Sequence, residues 1–118
     1  MKLTDAERRF LAKTVDHIYL LLDKQQLDVN TLSDKLCMSS RQFHRKIVAL
    51  TGCSPASFML KIKMKRARHL LETDPRMSID EIASRCGFEH TSSFYHAFRK
   101  AYGVTPKDVR RGVGLIEN

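Results

Sequence analysis

The chain of 118 residues has no apolar run long enough to span a bilayer and no secretory signal pattern. A soluble, cytosolic protein without membrane contact is therefore expected. Cysteine is sparse. Cys37, Cys53 and Cys86 are odd in number and lack metal-type spacing, so they read as reduced core or turn residues. There is no Gly-rich loop to cradle a phosphate. Hydroxyls and imidazoles occur at Ser39, Ser40, His44, Ser92, Ser93 and His96, but no orienting carboxylate follows at a motif spacing. Serine at a helix start is explained by capping. Cys86, His90 and His96 fall short of the four closed ligands that structural zinc takes. No enzymatic activity, metal or cofactor is expected.

Acidic residues are scarce in one part of the chain only. Residues 1–36 carry six basic and six acidic groups, whereas residues 37–118 carry fifteen basic and seven acidic groups. The whole net charge of +8 thus lies downstream of residue 36. A positive field localised in this way suits a polyanion partner.

What the chain does have is an internal repeat. Ser78 to Pro106 reads as a short helix, a turn at Gly87 and a second helix from Thr91 to Tyr102. Ser78 and Glu81 have capping-box spacing. Ile79, Ile82, Ala83 and Cys86 supply one apolar face, and Phe94, Phe98, Ala101 and Tyr102 the next. Val29 to Pro55 repeats the pattern. Phe43 matches Phe94, Ile47 matches Phe98, Thr51-Gly52 matches Tyr102-Gly103, and Ser54-Pro55 matches Thr105-Pro106. The offset is 50 before the turn and 51 after it, so the second copy has one extra turn residue. Two helix-turn-helix patterns with a helix between them describe a bipartite reader of DNA.

The other elements follow from spacing. Thr4 with Glu7 opens a helix from about Asp5 to Asp23, with a stripe of Phe10, Leu11, Val15, Ile18, Leu21 and Leu22. Asp28 caps a helix to about Leu36. Ser39 with Gln42 opens a helix from Ser40 to about Leu50, with Phe43, Ile47 and Leu50 inward. Ser54-Pro55 opens a long helix to Thr73, whose Phe58, Met59, Ile62, Ala67, Leu70 and Leu71 can pack on both motifs. Thr105-Pro106 begins a last short helix to about Arg111, and a loose tail, 112–118, is expected after it. The division is residues 5–54 as the first motif, 55–73 as a linker helix and 78–111 as the second motif, in one all-α unit. The linker helix would be roughly 28 Å long, of the order of one DNA turn at roughly 34–36 Å.

Ser40, Arg41, His44 and Arg45 fall on the polar front of the first reading helix, where arginine can bond guanine O6 and N7 together. Thr91, Ser92, Tyr95 and His96 lie off the apolar stripe of the second, whose base-reading chemistry is the weaker. Lys46, Lys63, Arg99, Lys100, Lys107 and Arg110 are expected on DNA phosphates.

These residues resemble the DNA-binding domain of AraC/XylS-type bacterial transcription regulators over about residues 5–111. The resemblance is carried by I-x-E-I-A-x-x-C-G-F at Ile79–Phe88, by Ser92-x-Phe94, and by F-R-K-A-Y-G-V-T-P at Phe98–Pro106. K-M-K-R-A-R-H-L-L at Lys63–Leu71 and M-S-S-R-Q-F-H-R-K at Met38–Lys46 also fit, with Lys63 where the family usually has arginine. The resemblance implies seven helices, with two reading helices entering adjacent major grooves. It places base-facing sites on Arg41, Gln42, His44 and Arg45, and on Thr91, Ser92, Tyr95 and His96. The second set departs from the Gln- or Arg-bearing pattern often seen there. The implied partners are a double-stranded promoter or operator site, RNA polymerase, and a second copy in a full-length parent.

Phe43-His44-Arg45-Lys46 with Ala49-Leu50-Thr51-Gly52 further resembles the output domains of hybrid two-component sensor regulators. That implies a C-terminal piece of a larger signal-responsive protein. A freestanding small activator is the alternative. A protein-docking helical bundle is a third reading, and it predicts sequence-blind, salt-sensitive DNA binding.

Overall fold

The computed structural model describes residues 2–112. Among them are seven α-helices and no strand: α1 (Asp5–Asp23), α2 (Val29–Lys35), α3 (Ser40–Thr51), α4 (Pro55–Thr73), α5 (Ile79–Arg85), α6 (Thr91–Tyr102) and α7 (Pro106–Arg110). The expected tail lies outside the described residues apart from Gly112.

The helix starts are where the side chains dictate. Thr4, Ser39 and Ser78 each form a complete capping box with the glutamate or glutamine three residues on. Asp28 accepts from the Thr31 N–H at 2.7 Å, and Ser54 from the Ser57 N–H at 3.1 Å. Thr105 and Asp108 add a further capping box around Pro106. Each cap satisfies donors that the first helical turn leaves open.

The chain divides into two compact units, Met1–Ile62 and Lys63–Asn118. Neither can bury a large core alone, so each concentrates its burial on a few residues. In the first unit Ile18 and Leu21 of α1, Leu32 of α2, Phe43 and Ile47 of α3, and Met59 and Ile62 of α4 form one cluster. In the second, Met64, Ala67 and Leu71 of α4 meet Ile82, Ala83 and Cys86, then Phe94, Phe98 and Val109. The linker helix thus contributes its first half to one core and its second half to the other. Phe43, Ile47, Phe94 and Phe98 are all 0 % exposed. These four side chains anchor the two reading helices.

Three expectations about packing change. Ala101 is exposed and belongs to no apolar face. Leu50 is only half-buried and is not among the side chains packed on the first core. Met64, absent from the expected stripe of α4, is 2 % exposed and central to the second core. Thr14 is also fully buried; its hydroxyl donates to the Phe10 carbonyl at 2.8 Å, which removes the cost of burying it.

Candidate nucleic-acid interface

In each unit a short leading helix ends in a reversal that aims the next helix. In the first, the Cys37 N–H donates to the Asp34 carbonyl and the Met38 N–H to the Ser33 carbonyl, both at 3.0 Å. In the second, Gly87 donates to Ser84 and Phe88 to Ala83, again at 3.0 Å. This paired closure needs one left-handed residue at its centre. Gly87 supplies it at φ 85° and Cys37 at φ 58°. Glycine does so without a Cβ clash; cysteine bears some strain.

The two copies differ in the residue that caps the reading helix. α3 is capped by Ser39, whose hydroxyl accepts from the Gln42 N–H at 3.1 Å while Gln42 Oε1 accepts from the Ser39 N–H at 3.0 Å. The equivalent position before α6 is His90, which makes no side-chain cap. Both reading helices are nevertheless tied at their first residue. Ser40 Oγ donates to Asn30 Oδ1 at 2.6 Å, and Thr91 Oγ1 donates to Asp80 Oδ1 at 2.9 Å. Asn30 and Asp80 occupy the same repeat position.

On α3, Ser40, Arg41, Gln42, His44, Arg45 and Lys46 are all exposed. Gln42 and Arg45 line a shallow depression with Met38 and Lys46. Gln42 is partly committed to the cap, so its amide carries a structural duty. Lys46 places its ammonium 4.2 Å from the centre of the Phe10 ring, a cation–π contact that fixes its direction. Arg41, His44 and Arg45 therefore form the polar front.

On α6, Ser92 and His96 are exposed, and Thr91 and Tyr95 half-buried. The Tyr95 ring stands edge-on to Phe94 at 6.3 Å. Burial, and then the nearby Asp80 charge, push the Tyr95 phenol above its ordinary range, so it keeps its proton. Tyr95, His96, Arg99, Lys100 and Thr105 border one open concavity. Arg99 and Lys100 are exposed in the last turn of α6, where cations also complement the helix dipole.

Of the expected phosphate contacts, Lys107 is exposed on α7. Lys63 is half-buried, with its ammonium 5.9 Å from the Phe88 ring centre and beside Gly87. Arg110 is half-buried and held by its own unit. Its guanidinium donates to the carbonyls of Leu71, Met77 and Asp74, the first at 3.4 Å and the last at 2.9 Å. Each nitrogen of its fork donates within the protein, so Arg110 fastens α7 to the α4–α5 connection.

Two helices on buried anchors, each presenting exposed polar and cationic side chains, correspond to a DNA-reading module. A family model described as a helix-turn-helix domain matches residues 32–112. The chain belongs to the AraC-type helix-turn-helix DNA-binding family. The DNA-binding domain of AdpA, a global transcriptional factor solved in complex with a target DNA, is 33 % identical with a TM-score of 0.72, over 92 % of this chain and 93 % of that one. The C-terminal domain of AraT, a response regulator from Geobacillus stearothermophilus, is 29 % identical with a TM-score of 0.75, over 95 % and 88 %. The HTH-type transcriptional regulator GbdR of Pseudomonas aeruginosa is 37 % identical over 92 residues, which is 78 % of this chain and 25 % of GbdR. The chain thus spans about a quarter of that relative's length.

Within this AraC-type domain, the residues that sequence reasoning missed are Asn30, Asp80 and Phe10. The signal for the first two was present: both are polar, at the second position of a leading helix, and related by the repeat offset of 50. Phe10 was counted as core, whereas it also carries Lys46. Among the described residues, no helix is long and apolar enough to cross a membrane.

Proposed function

We propose that this domain reads a double-stranded promoter or operator site sequence-specifically, with α3 and α6 in successive major grooves. The observation that carries the reading is the polar front of α3, where Arg41, His44 and Arg45 project from a helix anchored by fully buried Phe43 and Ile47. α6 repeats the geometry with shorter polar groups at its front and cations at its end. In this reading α3 supplies most of the base discrimination and α6 more of the grip on phosphate. Lys46, Lys63, Arg99, Lys100 and Lys107 are the backbone contacts.

The domain has no catalytic role and works in the cytoplasm. It forms the output end of a larger regulator, one driven by a sensor or receiver segment, with RNA polymerase and a second copy as its protein partners. The likeness to a response regulator's C-terminal domain favours that parent over a freestanding activator.

Selection from random duplexes tests the base-reading claim. Arg45→Ala is expected to relax preference at one end of the selected site, by roughly 1–3 kcal/mol of discrimination against the wrong base. A uniform loss of affinity with unchanged base preference would remove Arg45 from the reading set.

A further inference from the structure

The two tethers at the front of the reading helices differ in their acceptor, an amide at Asn30 and a carboxylate at Asp80, and in their donor, Ser40 with Ser33 Oγ a further 3.4 Å away and Thr91 with no such neighbour at Ala83. Asn30 and Asp80 hold the same place in the repeat, and each receives a hydroxyl proton from the first residue of the following helix. A side-chain amide can turn either its oxygen or its NH2 to a neighbour; an ionised carboxylate can only accept. Ser40 beside Asn30 can therefore donate or, after a half-turn of the amide, accept. Thr91 beside Asp80 has no such choice. Its single proton is committed at 2.9 Å to Asp80 Oδ1. What remains of the hydroxyl towards solvent is lone pairs.

Thr91 stands at the first position of α6 and is half-exposed. Asp80 is exposed, and its charge is felt at Tyr95 one turn further along α6. In the major groove adenine and cytosine present an amino donor, N6–H2 or N4–H2, whereas guanine and thymine present carbonyl acceptors. A hydroxyl reduced to lone pairs matches the first class and opposes the second.

We propose that Asp80 fixes the polarity of the Thr91 hydroxyl, so that α6 selects an amino base, adenine or cytosine, over a keto base at one position of the site. Asp80 is then a positioning residue that determines specificity without touching the DNA. The inference rests on the DNA-reading role of α6 proposed above.

Duplex selection with the whole domain tests it, using wild type, Asp80→Asn, Thr91→Val and Thr91→Ser. Thr91→Val marks the base pair concerned, because it keeps the shape and removes the hydroxyl. At that pair wild type and Thr91→Ser are expected to prefer amino over keto bases by about two- to tenfold, the range of one neutral hydrogen bond. Asp80→Asn should bring the ratio towards one while leaving preferences in the α3 half unchanged. The reciprocal change, Asn30→Asp, should create an amino preference opposite Ser40. A thermal melt of each variant establishes folding, and if Asp80→Asn does not fold, Thr91→Val and Asn30→Asp decide.

The proposal is overturned if wild type prefers a keto base at the marked pair, if Thr91→Val erases no preference, if a folded Asp80→Asn keeps the full ratio, or if a folded Asn30→Asp gains no amino preference. Absence of any sequence enrichment by wild type would instead overturn the DNA-reading role itself.

Discussion

Arg110 and Arg45 show how two arginines in one basic sequence separate by their partners. Arg45 is exposed at the front of α3, whereas Arg110 is bound to three carbonyls of its own unit. Arg110→Ala should therefore lower stability by about 1.5–3 kcal/mol, the value of hydrogen bonds made by a charged group. It should leave the salt dependence of DNA binding unchanged. Lys100→Ala should do the reverse, reducing the salt slope by about one with little change in melting temperature. Both variants can be followed by thermal melting and by binding titrations at several salt concentrations. Composition made Arg110 look like its neighbours, because the carbonyls that occupy it come from residues 33–39 positions earlier. No local pattern announces such a contact.

The acidic caps carry a pH signature. Hydrogen bonds from the Thr31 backbone and side chain hold the Asp28 carboxyl below the usual carboxylate range, and the equivalent bonds from Thr105 do the same for Asp108. A carboxyl depressed in the folded state adds stability above its unfolded value, near 3.8. That stability is lost as pH falls through the lower folded values. Asp28→Asn keeps the capping geometry, so it should melt like wild type at neutral pH. Its melting temperature should fall less steeply than that of wild type below about pH 4.

At the level of the helix and turn, most boundaries could be read from the sequence because they depend on neighbours. The capping pairs at Thr4, Ser39 and Ser78 begin helices where spacing places them. Gly87 ends its helix for the expected reason. Cys37 does the same work without the expected residue type, since hydrogen bonds to Asp34 and Ser33 force the left-handed backbone. The two turns should therefore respond oppositely. Gly87→Ala should destabilise by about 1 kcal/mol, and Cys37→Gly should stabilise by some fraction of that. A denaturant titration of each variant checks the pair, and a matching loss in both would refute the shared turn geometry. The tethers of Ser40 and Thr91 were harder to see. They join residues 10 and 11 apart across a turn, and only comparison of the two repeats makes them visible.

For the molecule as a whole, one reading unit occurs twice, and its two copies are specialised in opposite ways. The first puts arginines at the front of its helix and exposes apolar Val48, 40 % accessible, near the end. The second puts hydroxyls and imidazole at the front and Arg99 and Lys100 at the end. The repeat, the anchors Phe43 and Phe94 and the downstream charge excess were all legible in the sequence, because each is a matter of spacing or counting. The distribution of duties among Gln42, Lys46, Lys63 and Arg110 was not, because it depends on which group each side chain meets after folding.

Sequence-specific reading means that this domain distinguishes one duplex sequence from others. The direct measurement is the ratio of its affinities for a selected duplex and for a scrambled duplex of equal length, at one fixed salt concentration. A ratio of roughly a thousandfold or more is expected. A ratio near one, with affinity for both duplexes collapsing together as salt is raised, would contradict it.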